Sequence, residues 1–242
     1  MSVWHAQLDE AGYVMLPAVF SATEVAAALA ACSAMLSSEA AAGSILANEP
    51  GAAYGARNVL QWWPNVRSIL RNASFAEALL QVLGPNCGAV RGLYFDKPPG
   101  HSWALPWHRD KTIAVKQHGP IGDFKKPTTK AGVPHVEAPA SILNTMLTAR
   151  IHLDEMTAGN GPLRVIPGSH VQSCDANPPH DQSAVTLHCA SGDVLLMRPL
   201  LLHSSGHSEA GNDKHRRILH LEFAASPTLP APFAWHDFVS VS

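Results

Sequence analysis

The chain has 242 residues, a length that one large domain accommodates, and we expect a single domain. Apolar residues make up 46% and charged residues 15%, an ordinary globular composition with enough hydrophobic side chains for a sizeable core. The formal net charge of −2 at pH 7 provides no broad basic surface, and no apolar run approaches the ~20 residues that span a bilayer. These properties argue against a nucleic-acid partner and against a membrane partner.

The four cysteines are widely spaced and form no Cys-x-x-Cys pair; they are Cys32, Cys87, Cys174 and Cys189. The first residues carry no signal-peptide pattern. We therefore expect free thiols in a cytoplasmic protein, with a monomer as the default oligomeric state.

Residues 1–85 are predicted to be mainly helical. Ser21-x-x-Glu24 is a capping-box pattern ahead of an alanine-rich apolar run, and Ser74-x-x-Glu77 repeats the pattern ahead of ALLQVL. Gly84 follows that second run and is expected to end its helix.

Residues 86–225 are predicted to form a series of short strands separated by turn residues. The candidate strands are AVRGLYFD, WHRDKTIAV, TARIHLDEM, PLRVIP, AVTLHC, DVLLMRPLLLHSS and RRILHLEFA. Short strands with Gly- and Pro-rich breaks indicate a β-sandwich or jelly-roll barrel, so the fold class is mainly β with flanking α-helices. The segment 117–139 is rich in Pro, Gly, Lys and Thr, and we interpret it as a lid-like loop over the barrel mouth.

Two His-x-Asp pairs occur in the predicted strands, one at His108 and Asp110 and the other at His152 and Asp154. Residues i and i+2 of a strand point to the same face, so either pair can direct an imidazole and a carboxylate into a barrel. With one more histidine, such a pair makes a 2-His-1-carboxylate site, which leaves open coordination positions on ferrous iron. Local periodicity alone does not choose between the pairs.

A later strand is expected to supply the remaining ligand. The apolar run VLLMRPLLL leads to His203 and then His207, and periodicity favours His203 only modestly. Beyond them, Arg216 begins a strand in which Ile218, His220 and Glu222 share its face. An arginine fork binds a carboxylate through two parallel hydrogen bonds, so an iron site with an arginine beyond it suits a dicarboxylate co-substrate.

In this order, the motifs resemble those of the phytanoyl-CoA dioxygenase-like family of iron(II)- and 2-oxoglutarate-dependent oxygenases. The resemblance covers about residues 10–225 and is carried by His108-x-Asp110, Asn160-Gly161-Pro162-Leu163, Pro167-Gly168-Ser169-His170, His203-x-Ser205-Gly206 and Arg216. It implies a double-stranded β-helix, or cupin-like jelly-roll, core. It also implies that the first His-x-Asp pair is the metal-binding one, because in the family that pair lies well before the Asn-Gly-Pro-Leu block.

The family pattern implies Fe(II) ligands at His108, Asp110 and His203. It further implies that 2-oxoglutarate is bound by Arg216 and Ser205. Because His203 and Arg216 are slightly further apart than in the family, Arg217 remains an alternative to Arg216. The aspartate at position 110 favours hydroxylation over halogenation, since halogenating members have a small residue there.

Four further side chains are candidates for lining the cavity or contacting the substrate: Arg91, Trp107, Arg109 and Arg150. Arg109 stands where family members often have glutamine, and a surface ion pair is the simpler reading of its charge. Arg91 and Lys97 share one strand face, where a structural ion pair and a site role are equally good explanations. Upstream, AYGARN with Tyr54 is either packing or substrate recognition.

The expected reaction is hydroxylation of a C–H bond in a small-molecule substrate, with O2 as co-substrate and succinate and CO2 as products. A cupin-like metal hydrolase or isomerase that does not use 2-oxoglutarate is the alternative in another enzyme class. A non-catalytic binding module on the same fold is the third possibility. The sequence does not select the substrate.

Overall fold

A computed structural model describes residues 3–47, 53–63, 66–120, 122–172 and 183–242. Within these ranges, no helix has the length and apolar character needed to cross a membrane. Cys32, Cys87 and Cys189 are buried free thiols, whereas Cys174 lies outside the described residues.

The N-terminal part contains most of the helices, as predicted, and also three strands. Its elements are α1 (Val3–Ala11), β1 (Tyr13–Leu16), α2 (Ala22–Leu36), a 3-10 helix (Glu39–Ser44), β2 (Ile45–Ala47), β3 (Ala53–Ala56), α3 (Val59–Trp62), α4 (Val66–Leu70) and α5 (Ala73–Leu83). All three strands join the main sheet, so this part is not purely helical.

The first capping box is present, but the second is not. The Ser21 side chain accepts a hydrogen bond from the Glu24 amide, and Glu24 accepts one from the Ser21 amide. The last long helix, α5, begins earlier than Ser74 predicted, because Asn72 is its N-cap and accepts from the amide of Phe75. Gly84 ends α5 at a φ of 85°, in a region that favours glycine.

The remaining chain is mainly strand. Its elements are β4 (Gly88–Lys97), β5 (Leu105–His108), β6 (Thr112–Ala114), β7 (Lys125–Lys130), β8 (Val133–Glu137), α6 (Ala140–Leu143), β9 (Met146–His152), β10 (Leu163–Val165), a 3-10 helix (Ser169–Val171), β11 (Val185–Thr186), β12 (Val194–Met197), β13 (His203–Ser205), β14 (Arg216–Ala224) and β15 (Val239–Ser240).

The described residues form three antiparallel sheets, and the two largest build the jelly-roll core. The main sheet has the order β1-β12-β9-β14-β4-β3-β2, with β15 also paired to β4. The second sheet has the order β11-β10-β13-β5, and the third has the order β6-β8-β7. Non-consecutive neighbours throughout these orders are typical of a jelly roll.

Side-chain alternation on the main sheet separates the core from the site. On β9, Leu147, Ala149 and Ile151 belong to the large apolar cluster that includes the N-terminal helices, and Leu219 and Leu221 of β14 join them. The residues between them therefore point to the opposite, inner face. Burial of the outer face holds these strands rigidly, and the inner face is left to carry polar side chains.

The segment 117–139 is not a structureless loop, which corrects the prediction. Strands β7 and β8 form a hairpin whose two turn residues, Ala131 and Gly132, both have positive φ values. The hairpin turn contacts the N-terminal part, where Asn58 donates a hydrogen bond to the carbonyl of Ala131. A lid function for this hairpin stays a prediction.

Candidate active site

His108, Asp110 and His203 form a cluster with the composition of a metal site. His108 ends β5, His203 begins β13, and the two residues are register partners across these strands. The ring centroids lie 4.2 Å apart, and Nε2 of His203 is 3.7 Å from Oδ2 of Asp110. One candidate ligand atom from each residue lies within 4.8 Å of the others.

The backbone orients all three side chains. Nδ1 of His108 is 2.7 Å from the Pro106 carbonyl oxygen, and Nδ1 of His203 is 2.9 Å from that of Leu201. Each contact leaves Nε2 as the ring nitrogen free to bind a metal. The Asp110 amide donates a hydrogen bond to the carbonyl of Pro199. This bond fixes the Asp110 backbone beside the segment that precedes β13.

The protonation states suit metal binding. Burial lowers the pKa of His203 to about 4, so its imidazole is neutral at pH 7. Burial alone would raise the pKa of Asp110, but the neighbouring imidazoles of His203, His220 and His108 give it a net decrease. A neutral imidazole and an ionised carboxylate are the forms that bind a cation.

The second His-x-Asp pair has other partners. Both oxygens of Asp154 accept from the Arg217 guanidinium at 2.7 Å. His152 is fully buried, with Nε2 3.3 Å from Sγ of Cys189, and burial lowers its pKa to about 3. His207, the alternative to His203, is exposed. Among the described residues, the candidate ligand cluster contains neither residue of this pair, nor His207.

The cluster of His108, Asp110 and His203 lies at a cavity between the two larger sheets. Apolar side chains contribute much of the lining: Leu93, Phe95, Trp103, Leu105 and Leu163. Arginines 91, 150 and 216 line it as well, together with Ser205, His220 and Glu222. The cavity therefore combines an apolar wall with many convergent polar and charged groups, which suits a small molecule that carries charge.

Arg216, and not Arg217, enters this cavity. Its side chain is 3% exposed, its Nε has no hydrogen-bond partner among the described residues, and Nη1 contacts only the Met156 sulfur, at 3.8 Å. Burial, together with the nearby Arg150, lowers the pKa of Arg216 to about 9. The next residue, Arg217, points to the opposite face, where its guanidinium forms an ion pair with Asp154.

The other two cavity arginines differ in how they are paired. Arg91 forms a 3.0 Å ion pair with Glu222 and also donates to the carbonyl of Thr112. Arg150 has Nη1 3.2 Å from Nδ1 of His220, while its buried Nε has no partner among the described residues. The structure thus gives Arg91 a structural ion pair and a place in the cavity wall.

Trp107 and Arg109 do not line the cavity, which corrects their prediction. Trp107 alternates with His108 on β5, so its ring turns outward and lies 5.5 Å from the Arg164 guanidinium. Arg109 donates to the carbonyls of Leu200 and Ser169, which connects backbone segments behind the site. Among the described residues, Arg109 has no ion-pair partner, so the surface ion pair is not found there.

Two other cavity features were not among the predicted site residues. His220 and Glu222 follow Arg216 at the period of a strand, a pattern that could have identified them. Trp103 lies outside regular structure, and its ring contacts that of Tyr54 at 5.1 Å. No local signal in the sequence marks Trp103.

Comparisons with known proteins identify the family of this chain. The family model for phytanoyl-CoA dioxygenase (PhyH) matches residues 8–217. Among curated proteins, no relative matches.

Several solved structures share the fold. EctD from S. alaskensis with bound Fe is 23% identical, with a TM-score of 0.69, over 93% of this chain and 76% of that one. The α-ketoglutarate-dependent carbocyclase SnoK from nogalamycin biosynthesis is 20% identical, with a TM-score of 0.67, over 94% and 85% of the two chains. The epimerase SnoN from the same biosynthesis is 19% identical, with a TM-score of 0.66, over 93% and 80%. Because the family model spans most of its length, this chain belongs to the phytanoyl-CoA dioxygenase (PhyH) family.

Proposed function

We propose that this protein is an Fe(II)- and 2-oxoglutarate-dependent oxygenase that hydroxylates a C–H bond of a small molecule. The observation that carries the proposal is the cluster of His108, Asp110 and His203 facing a cavity that also contains the buried, unpaired guanidinium of Arg216. Membership of the PhyH family supports it. Among the structural neighbours, EctD has been crystallised with Fe and with 2-oxoglutarate and 5-hydroxyectoine.

The donor set fits iron. Two imidazoles and one carboxylate are the donors of a 2-His-1-carboxylate site, which would leave coordination positions open for co-substrates. Oδ2 of Asp110 is buried and has no hydrogen-bond partner among the described residues, as expected of an oxygen that binds a cation. When bound, iron with 2-oxoglutarate and O2 supplies the oxidation of the substrate, coupled to release of succinate and CO2.

The protein's own groups bind and orient the reactants. His108, Asp110 and His203 would hold the metal, and Arg216 would grip the distal carboxylate of 2-oxoglutarate through paired hydrogen bonds. Ser205 lines the same cavity and would donate its hydroxyl to that carboxylate. The apolar wall would exclude water from the reacting centre, which strengthens these electrostatic contacts.

Hydroxylation is the outcome that Asp110 supports, because its carboxylate occupies the coordination position that halogenating relatives leave free. SnoK and SnoN are a carbocyclase and an epimerase on the same fold, so product analysis must decide the reaction type. The cytoplasmic location and the monomeric state stay predictions.

A hydrolase or isomerase without 2-oxoglutarate has no evident use for the buried Arg216 guanidinium, which has no carboxylate partner among the described residues. Succinate formation from 2-oxoglutarate, with Fe(II) and O2, tests the proposal directly. We expect Asp110→Ala to abolish it and Asp154→Ala, the matched change in the second His-x-Asp pair, to retain it in whatever fraction stays folded. Metal binding, measured with Mn(II), should follow the same order. Full decarboxylation by Asp110→Ala would contradict the ligand assignment, and no Mn(II) binding by the wild type would favour a non-catalytic module.

A further inference from the structure

Two cations without an acidic partner lie beside the cavity. Arg57 directly follows β3, and Lys130 is the last residue of β7, at the turn of the hairpin. Both side chains are half-buried, and neither forms an ion pair among the described residues. Removing a cation from water is costly unless a partner compensates its charge, so this pair suits an anion that the chain itself does not supply.

One hydrogen bond holds the two cations together. The Asn58 side chain donates to the carbonyl of Ala131 at 3.2 Å, and these two residues directly follow Arg57 and Lys130. Asn58 and Ala131 have φ values of 55° and 48°, which residues other than glycine rarely adopt. Such backbone persists where the surrounding structure imposes it, and it is concentrated at binding sites. The bond therefore fixes the segments that carry Arg57 and Lys130 side by side.

Strand register places Arg57 beside the cavity wall. Ala56 pairs with Tyr94 in the antiparallel pair β3–β4, so the next step of that register brings Arg57 beside Leu93. Leu93 lines the cavity. The β4 position that pairs with Arg216 lies four residues further along the strand, roughly 13 Å away. Arg57 therefore stands apart from the arginine that would anchor 2-oxoglutarate.

The charges around Lys130 belong to the same part of the cavity. Burial lowers the pKa of Lys130, and Arg91 and Arg57 lower it further. The carboxylates of Glu222 and Asp110 oppose this decrease. Arg91, Glu222 and Asp110 line the cavity, so the Lys130 ammonium lies within range of its electrostatic field. Glu222 is already paired with Arg91 and Asp110 is a proposed metal ligand, so neither carboxylate is a dedicated partner for Lys130.

We propose that the substrate is an organic acid whose carboxylate is bound between Arg57 and Lys130, while its carbon skeleton lies along the apolar wall toward the proposed metal site. That wall includes Leu93, Phe95 and Leu105. The inference rests on the proposed function and names the class of its substrate. The competing explanation is an uncharged substrate, with Arg57 and Lys130 as solvated charges that bind nothing.

Matched acids and amides separate the two explanations. The probes are straight-chain and phenyl-substituted carboxylic acids of increasing length, each compared with its primary amide, which has a similar shape and no charge. Binding of each probe to the protein loaded with Mn(II) and 2-oxoglutarate, followed by calorimetry, involves no turnover. The readout is the ratio of acid affinity to amide affinity in one variant. A change in fold or cavity shape affects both probes and does not imitate the loss of a charge.

We expect the wild type to bind the best acid roughly a hundredfold more tightly than its amide, since each of two charge-assisted contacts contributes about tenfold. Arg57→Gln and Lys130→Gln should each lower the ratio about tenfold, and the double variant should bring it close to one. Lys130→Gln changes a hairpin side chain and decides the question if Arg57→Gln does not fold. Lys130→Arg should keep most of the ratio, and Lys125→Gln, at an exposed lysine of the same strand, should keep all of it.

A wild-type ratio near one, a failure of every acid to bind, or an unchanged ratio in Lys130→Gln and the double variant would overturn the inference. In each of these cases, 2-oxoglutarate binding by the wild type leaves the proposed function standing. If the Mn(II)-loaded wild type does not bind 2-oxoglutarate, the proposed function fails, and this inference fails with it. The two failures are therefore distinguishable.

Discussion

Oppositely charged side chains face each other at one end of the β4–β14 strand pair, and like-charged side chains face each other at the other end. At one end Arg91 stands opposite Glu222, and the two form a 3.0 Å ion pair. At the other end Lys97 stands opposite Arg216, and no described carboxylate neutralises either. All four side chains are largely buried, and Arg91, Glu222 and Arg216 line the same cavity.

This difference distinguishes a structural charge from a ligand-binding charge. Desolvating a charge is expensive unless a partner compensates it, so an arginine with a carboxylate opposite it needs nothing further. A pair of buried cations without a counter-charge leaves the folded protein with an electrostatic cost that a dianionic ligand can offset. Burial, together with Arg216 and Arg150, lowers the pKa of Lys97 to about 7, which is consistent with that cost.

Breaking the matched end should have the largest effect on stability. We expect Glu222→Gln to lower the free energy of unfolding by about 3–5 kcal/mol, because it leaves Arg91 buried without its partner. Replacing both Arg91 and Glu222 by Met should recover most of that loss. Urea unfolding of Arg91→Met, Glu222→Met and the double variant measures the coupling, and additive losses would show that the ion pair is not the cause.

Breaking the like-charged end should instead affect binding. We expect Arg216→Gln to weaken 2-oxoglutarate binding by about 2–3 kcal/mol, roughly 30- to 150-fold, without lowering the free energy of unfolding. The neighbouring Arg217→Gln is the control, since it removes the bonds to Asp154 and should reduce stability while retaining affinity. Calorimetry with Mn(II) and urea unfolding give both quantities, and the reverse assignment would identify Arg217 as the anchor.

The like-charged end should also make 2-oxoglutarate binding depend on pH. Without ligand, Lys97 loses its proton near pH 7, whereas a bound carboxylate raises its pKa. Above pH 7, binding must take up a proton, so we expect affinity to fall up to about tenfold per pH unit. The unfolded chain retains the Lys97 proton up to its ordinary pKa of 10.5, so this group's contribution makes the unliganded protein more stable as the pH rises from about 7.

The pH effect can be separated from titrations at the metal end. The groups that face Lys97 are Arg216 and Arg150, which stay charged through neutral pH. We expect Lys97→Arg to flatten the fall in 2-oxoglutarate affinity between pH 7 and pH 8. The affinity for 2-oxopentanoate, in which a methyl group replaces the distal carboxylate, should show no comparable fall. An unchanged slope in Lys97→Arg would assign the dependence to another group.

The local sequence was sufficient to predict a strand or helix wherever a clear alternation of apolar and polar residues, or a helix cap, determined it. RRILHLEFA corresponds to β14 from Arg216 to Ala224, because apolar and polar residues alternate along a strand with one face in the core. Ser74 failed as a cap because Asn72, two residues earlier, caps the same helix. Helix boundaries are set by this competition between neighbouring side chains.

Features that depend on contacts between distant segments could not be predicted in this way. The β7–β8 hairpin was missed because β7 is largely exposed and its turn is Ala131-Gly132, without the Asn-Gly signal of such turns. The sequence showed that Arg91 and Lys97 share one strand face, but it did not show their partners across the sheet. Strand register decides that one meets Glu222 and the other meets Arg216.

Arg109 should give the smallest effect, although it lies between two proposed metal ligands. Its guanidinium donates hydrogen bonds to the carbonyls of Leu200 and Ser169 and does not line the cavity. We therefore expect Arg109→Gln to cost about 1 kcal/mol of stability through those hydrogen bonds and to leave 2-oxoglutarate affinity unchanged. Arg150→Gln is the matched change inside the cavity. It should weaken 2-oxoglutarate binding, because Arg150 contributes to the positive potential around Arg216. If Arg109→Gln weakens binding as much as Arg150→Gln does, charge near the metal matters irrespective of the face on which it lies, and the contrast between the two ends of β4–β14 loses its meaning.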